Sequence, residues 1–376
     1  MSNTVFQRWF RWLASAAAAL LSFGIAAPAT NAPATPTHPS AQSLTPQQLA
    51  GQRVIYSYTG LTPPATLIQR IEAGEAAGVI FFGDNISNDT QISSVVEQLD
   101  QANAQSPVKQ PLLLMTDQEG GEVRRLPGEP TQSEKQIGES SDPSGEAATA
   151  GKDAGQNLAS VGMNLNLAPV LDVFRTAGDF DDQYQRSYSS DPNVAAAAGS
   201  AFVTAQQQTG VAATVKHFPG LGTATASQNT DAGPVTLNVS LSNLRNIDEL
   251  PYTSAISAGV KLVMVSWAIY PALDPTYPAG LSSTIVQGEL RNRLGFTGVT
   301  ITDALEAGSL QNFGTDSQRG VAAAAAGMDL LLCASGQVSQ GDDVETGLVT
   351  ALGNGQLGQS AFTASVNRIA ALRNSL

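Results

Sequence analysis

The stretch Lys261-Leu-Val-Met-Val-Ser-Trp267 is an apolar run, and Gly298-Val-Thr-Ile-Thr302 is a second one. Ser282–Leu294 lies between them, has helical character and is followed by Gly295, a residue type that helix ends favour. A continuous apolar run is typical of a parallel strand that is buried on both faces. Strand, helix and strand in this order predict one β–α–β unit of a parallel sheet.

The same alternation extends in both directions, from Leu44 to the last residues. The predicted strands are Val54–Tyr58, Gly78–Phe82, Pro111–Thr116, Asn164–Leu171, Ala213–His217, Lys261–Trp267, Gly298–Thr302 and Met328–Cys333. Predicted helices lie between and after them; one of them covers Ser240–Ala258, and the last covers Ser360–Asn374. Eight β–α repeats predict a (β/α)8 barrel. The rival, a doubly wound open sheet, often has a glycine-rich phosphate loop after its first strand, and Tyr58-Thr-Gly-Leu-Thr-Pro-Pro64 is no such loop.

The N-terminal residues have the pattern of an export signal. Arg8 and Arg11 precede an apolar run from Trp12 to Ala27, which is followed by small residues. The run is shorter than the roughly 20 residues that a membrane span needs, although an uncleaved anchor is the alternative. We therefore predict a secreted or envelope-associated protein, with a signal or anchor over residues 1–34, a Pro/Ala/Thr-rich linker over 35–46 that contains His38, and one barrel domain over 47–376.

Composition excludes several classes of protein. The net charge is −13 and only 14% of the residues are charged, so the basic surface that a nucleic-acid-binding protein needs is absent. Cys333 is the single cysteine, which excludes an intramolecular disulfide, and the only histidines are His38 and His217. We expect no metal or cofactor, no nucleic acid and, if the signal is cleaved, no stable membrane partner. Catalysis then depends on carboxylates.

Polar residues follow the predicted strands, where a (β/α)8 barrel places its active site. They are Asp117, Asp172, Lys216 with His217, Ser266 with Trp267, and Asp303; the intervening loops add Arg175, Asp181, Asp182, Arg186, Asn229 and Asp231. Asp172 and Asp303 have a structural alternative as helix caps, and Arg125 and Arg186 as surface arginines. Lys216 ends a buried strand and needs a partner, for which Asp117 and Asp172 are the candidates.

The motifs resemble those of glycoside hydrolase family 3, in its bacterial β-N-acetylglucosaminidase branch. The resemblance rests on Thr116-Asp-Gln-Glu-Gly-Gly121 with Arg125, Asn166-Leu-Ala-Pro-Val-Leu-Asp-Val173, Arg186-Ser-Tyr-Ser-Ser-Asp-Pro192, Lys216-His-Phe-Pro-Gly220, Tyr270-Pro-Ala-Leu-Asp274 and Gly298-Val-Thr-Ile-Thr-Asp-Ala-Leu305. It implies a single-domain retaining exo-glycosidase that releases terminal N-acetylglucosamine from a carbohydrate such as a peptidoglycan fragment. It also implies that Asp303 is the nucleophile and that a set of five residues binds the sugar: Asp117, Arg125, Arg186, Lys216 and His217.

One departure from the family pattern concerns the general acid/base. The family carries a histidine on the loop after the fifth strand, but here the loop reads Ser227-Gln-Asn-Thr-Asp231 and Asn229 takes the position of that histidine. An amide does not donate a catalytic proton, whereas Asp231 does if its pKa is raised. We therefore predict Asp231 as the acid/base. The alternatives are a β-glucosidase specificity on the same site, or a sugar-binding protein with little turnover.

Overall fold

The computed structural model describes residues 44–376. The predicted export signal, most of the predicted linker and His38 lie outside the described residues. Leu44 packs against the core, and the side chain of Thr45 accepts a hydrogen bond from the amide of Gln48 at the start of helix α1 (Pro46–Gly51). Among the described helices, none has both the length and the apolar character needed to cross a bilayer.

Eight parallel strands form a closed barrel. They are β1 (Val54–Tyr56), β2 (Gly78–Ile80), β3 (Leu113–Thr116), β6 (Leu165–Asn166), β7 (Ala212–Phe218), β8 (Leu262–Val265), β9 (Val299–Thr302) and β10 (Leu331–Leu332). Each of these strands from β1 to β8 pairs with the next barrel strand along the chain, β1 also pairs with β10, and a bridge between Ile301 and Leu330 joins β9 to β10. The predicted (β/α)8 barrel is thus confirmed. A separate antiparallel hairpin, β4 (Gln118–Gly120) and β5 (Val123–Arg124), was not predicted.

Helices surround the barrel. They are α2 (Ala65–Ala73), α3 (Asp89–Gln105), α4 (Glu134–Gly138), α5 (Pro143–Ser160), α6 (Phe180–Gln183), α7 (Pro192–Gln207), α8 (Leu241–Asn243), α9 (Leu250–Ser257), α10 (Asp316–Ala326), α11 (Val338–Gly353) and α12 (Gln359–Arg373). Two segments, Leu244–Asp248 and Thr284–Arg293, are π-helical. Asn88, Asp142, Asp191 and Thr315 cap the helices that follow them, as short polar side chains do.

Alternate residues of each strand face the barrel interior or the helices, as the period of a strand requires. Leu262 and Met264 belong to an interior cluster with Ile55, whereas Val263 and Val265 belong to the cluster that packs against the helices. Because both faces of the strands are buried, the sequence shows continuous apolar runs instead of alternation.

Arginine side chains join the two ends of the described chain. Buried Arg373, at the end of α12, donates to the carbonyls of Pro111 at 2.5 Å and Gln110 at 3.0 Å, and also bonds the side chain of Gln52. Buried Arg53, just before β1, donates to the carbonyl of Asp329 at 3.0 Å. Arg373 thus ties the last helix to the residues before β1 and β3, and Arg53 ties the residues before β1 to those before β10.

A candidate active site at the carboxyl ends of the strands

A cavity of about 330 Å³ opens at the carboxyl ends of the barrel strands. Ile80, Leu167, Met264 and Leu332, which lie in or just after four different strands, supply apolar lining. All seven predicted site residues also line it: Asp117, Arg125, Arg186, Lys216, His217, Asp231 and Asp303. Strand ends that converge on one mouth thus bring together residues that are far apart in sequence, as the fold requires.

Glu119 links the two principal cations of the cavity. Its carboxylate accepts two hydrogen bonds from the guanidinium of Arg186, at 2.8 and 2.9 Å, and lies 2.7 Å from Nζ of Lys216. Burial alone would raise the pKa of Glu119, but the charges and hydrogen bonds of Arg186 and Lys216 outweigh it and lower that pKa to about 2. Glu119 is therefore a fixed anion that holds both cations in place.

Lys216 has two carboxylate partners, and one of them differs from the prediction. Its Nζ donates to Oδ1 of Asp117 at 2.7 Å, as expected, but its second partner is Glu119 and not Asp172. Burial favours the neutral amine, yet the two carboxylates outweigh that effect and raise the pKa of Lys216. The ammonium is charged and buried, with a rigid set of acceptors around it.

Asp172 instead supports His217. Nδ1 of His217 lies 2.8 Å from Oδ2 of Asp172, and Oδ1 of the same carboxylate accepts from the amide of Leu221 at 2.6 Å. Burial lowers the pKa of His217, but the hydrogen bond and charge of Asp172 outweigh this and raise it. Asp172 is therefore not a helix cap. It orients the imidazole, which leaves Nε2 as the nitrogen available to a ligand.

The two arginines of the predicted sugar-binding set differ in their partners. Arg186 is largely buried and also donates to Asp181 at 2.8 Å, so its interpretation as a surface residue was wrong. Arg125 is half-buried, and its buried Nε has no hydrogen-bond partner within residues 44–376. A buried donor without a partner is costly, so Arg125 is a good candidate to bond a ligand oxygen.

Asp303 follows β9 and is half-buried in the cavity. Its Oδ1 accepts from the amide of Ala304 at 2.7 Å, which fixes the orientation of the carboxylate. No helix begins at Ala304, so this bond is not a helix cap. Glu306 lines the cavity three residues later and was not predicted; its carboxylate accepts from the amide of Ala334 at 3.2 Å.

Asp231 lies at the mouth, on the loop after β7, with its side chain exposed. Partial loss of hydration, followed by the negative charge of Asp303, raises its pKa. The side chain of Asn229 accepts a hydrogen bond from the amide of Asp231 at 2.8 Å. The residue that stands in the position of the family histidine thus shapes the turn that presents Asp231.

Asp172, Asp181 and His217 have potential metal-ligand atoms within 4.8 Å of one another. However, Asp172 is already bonded to His217 and Leu221, and one oxygen of Asp181 to Arg186. Hydrogen bonds to other side chains and to the backbone therefore account for the placement of these three residues.

Three comparisons relate this chain to known proteins. The profile of the "Glycosyl hydrolase family 3 N terminal domain" matches residues 48–372. An "uncharacterized secreted glycosyl hydrolase" of Arthroderma benhamiae is 46% identical over 329 residues, which cover 87% of this chain and 93% of that protein.

Two solved structures have the same fold. A "glycoside hydrolase family 3 beta-N-acetylglucosaminidase" from a Paenibacillus species is 32% identical with a TM-score of 0.83; the match covers 89% of this chain and 63% of that one. A "beta-N-acetylhexosaminidase" from Beutenbergia cavernae is 30% identical with a TM-score of 0.81, and here the match covers 88% of this chain and 99% of that one.

Proposed function

The chain belongs to glycosyl hydrolase family 3, and from that premise we propose that it is an exported, retaining exo-β-N-acetylglucosaminidase. The observation that carries the proposal is that Asp303 and Asp231 line one cavity together with the cationic side chains that we propose as sugar ligands. The relatives from Paenibacillus and Beutenbergia, which are named for this activity, support the choice of sugar. The name of the Arthroderma relative supports export, and export makes peptidoglycan fragments the substrate that we favour.

The proposed reaction has two steps, and Asp231 is the general acid in the first and the general base in the second. First, Asp303 attacks the anomeric carbon, the glycosidic C–O bond breaks, and the leaving oxygen takes its electron pair and a proton from Asp231. Second, Asp231 removes a proton from water, whose oxygen attacks the anomeric carbon and releases Asp303. The raised pKa of Asp231 favours the protonated form that the first step needs.

Bound sugar would be held by the network around Glu119. Lys216, Arg186 and Arg125 would donate to hydroxyl or carbonyl oxygens, while Asp117 would accept from a hydroxyl. Nε2 of His217 would bond another hydroxyl. Because Glu119 and Asp172 already hold the cations and the imidazole, these ligands are ordered before the sugar arrives, which lowers the entropic cost of binding.

A direct test compares two substrates and one variant. The wild-type protein should release nitrophenol from nitrophenyl β-N-acetylglucosaminide faster than from nitrophenyl β-glucoside. Asp303→Ala should lose turnover of both, and azide should restore some activity and give the α-glycosyl azide. Preference for the glucoside would support the β-glucosidase alternative. Near-wild-type activity of Asp303→Ala without azide would refute the assignment of the nucleophile.

The second candidate is a sugar-binding protein with little turnover, and the observation that favours it is Asn229 in place of the family histidine. Binding of N-acetylglucosamine in a calorimeter, without release of product from either nitrophenyl substrate, would support this candidate.

A further inference from the structure

The loop that carries Asp231 contacts the segment that follows Asp303 through backbone atoms. The amide of Gly308 donates to the carbonyl of Asp231 at 2.8 Å, and the amide of Ser309 donates to the carbonyl of Thr230 at 3.0 Å. These bonds join two segments that follow different strands of the barrel, β7 and β9. The position of Asp231 relative to Asp303 is therefore set by this contact.

Gly308 makes the contact possible because it has no side chain. A Cβ atom at this position would lie 2.6 Å from the carbonyl oxygen of Ala232 and 2.8 Å from that of Asp231, closer than real Cβ atoms approach. Gly308 is not among the residues with positive φ. The position thus requires glycine for space and not for backbone conformation.

The two partners of the contact are held differently: the segment after Asp303 is bonded to other elements of the barrel, whereas the loop of Asp231 is held by a bond within its own turn. On the Asp303 side, the amide of Leu305 donates to the carbonyl of Leu332 at 3.0 Å, and Glu306 accepts from Gln340 at 3.1 Å. On the other side, the turn closed by Asn229 holds the amide of Asp231 at 2.8 Å. A side chain at position 308 would therefore displace the loop of Asp231 and not the segment that follows Asp303.

We propose that Gly308 is a positioning residue, which sets the separation of the acid Asp231 from the nucleophile Asp303. The inference rests on the proposed function, in which Asp231 is the acid. A retaining glycosidase needs its two carboxyl groups about 5–5.5 Å apart. A displacement of about 1 Å is enough to cost on the order of 100-fold in rate.

The test uses Gly308→Ala with Gly233→Ala as a matched control. Gly233 lies in the same loop, also has no positive φ, and a Cβ there would meet nothing within 4 Å. Each variant is assayed on a disaccharide, whose leaving group needs a proton, and on a dinitrophenyl glycoside, whose leaving group departs unaided. Gly308→Ala should lose about 10- to 100-fold in kcat/KM on the disaccharide and much less on the dinitrophenyl glycoside. Gly233→Ala should match the wild type on both.

The pH profile gives a second readout that a merely structural role would not change. If Asp231 moves away from the charge of Asp303 and towards water, its pKa falls, so the basic limb of kcat/KM should shift to lower pH. The effects should also be non-additive, because Gly308→Ala should add nothing further in the Asp231→Ala background.

The outcomes separate the inference from the proposed function. If Asp231→Ala slows both substrates equally, the acid assignment is wrong, and the positioning role that rests on it is wrong with it. If Asp231→Ala discriminates between the substrates but Gly308→Ala does not, only the positioning role is wrong. Should Gly308→Ala not fold, Asn229→Ala removes the other constraint, and it should show the same discrimination with rescue by Asn229→Ser.

Discussion

Glu119 organises the candidate site although its own carboxylate is excluded from proton transfer. The charges and hydrogen bonds of two cations outweigh the effect of burial and lower its pKa to about 2, so it is ionised at neutral pH. Asp182, another acid on the loops, is paired with Lys135 at 2.8 Å. Asp231, on the loop after β7, is the candidate acid, and its role is testable at the level of a single residue.

We expect Asp231→Ala to change the pH dependence and the product of the reaction. Because the protonated form is the acid, wild-type kcat/KM on a disaccharide should fall as the pH rises through the raised pKa of Asp231. The variant should lose that basic limb together with about 10²- to 10⁴-fold of its rate. Azide should accelerate the variant and give the β-glycosyl azide, as the nucleophile remains. An unchanged pH profile without an azide effect would contradict the assignment.

The sequence predicted seven residues that line the cavity but missed Glu306, and it did not predict how the seven are paired. Strand ends identified Asp117, Lys216 and Asp303, because polar residues after buried strands must converge in a barrel. The pairing of Lys216 with Glu119, and of His217 with Asp172, depends on side-chain directions that strand positions do not determine. Glu119 lies two residues after Asp117, and residues two apart in an extended segment point to the same side. This spacing was the one signal in the sequence that Glu119 faces the cavity with Asp117.

Among the elements, the strands and long helices could be predicted and the short ones could not. The predicted helix Ser240–Ala258 is divided into α8, a π-helical segment and α9, and Pro251 in the first turn of α9 lacks the amide that a continuous helix needs. Helix α6 has 4 residues, and strands β4 and β5 have 3 and 2. Elements this short contain too few residues to show a periodic pattern.

Helix α12 offers a test of how the barrel is closed. Arg373→Met would leave the acceptors on Gln52, Gln110 and Pro111 without their donor, at a cost of about 1–3 kcal/mol for each buried group. Removing a buried charge offsets part of this cost. We expect a lower free energy of unfolding in urea, while kcat/KM stays unchanged because the site is at the other end of the barrel. Exposed Lys152→Met is the control, and equal stability of the two variants would show that Arg373 does not fasten the helix.

For the whole molecule, buried carboxylates predict greatest stability in mildly acidic solution. Burial raises the pKa of Asp248 from 3.8 to about 7, against the opposing charge of Arg175, and raises that of Glu345 from 4.5 to about 7. Between the unfolded and folded pKa values the folded protein binds more protons, so the free energy of unfolding decreases as the pH rises from about 4 to 7. Glu119 acts oppositely, and its contribution is lost only as the pH falls from about 4.5 to 2.

Asp248→Asn tests this dependence. The variant cannot ionise, so its free energy of unfolding should fall less than that of the wild type between pH 5 and 7.5. The difference should be on the order of a few kcal/mol, measured by urea unfolding at both values. Parallel changes in the two proteins would contradict the contribution of Asp248. Greatest stability in mildly acidic solution would also suit the proposed reaction, because Asp231 must be protonated in its first step.

The pairing of β1 with β10 also has a consequence for a chain that emerges from its N-terminus, during synthesis or export. Val54 is translated early, but its partner Leu331 and the fastening side chain of Arg373 are translated among the last residues. Until they emerge, the nascent chain is an unclosed sheet with β1 at a bare edge, which is a state prone to wrong pairing. Chains released before residue 373 should therefore remain sensitive to protease, and resistance should appear with the final helix instead of growing strand by strand.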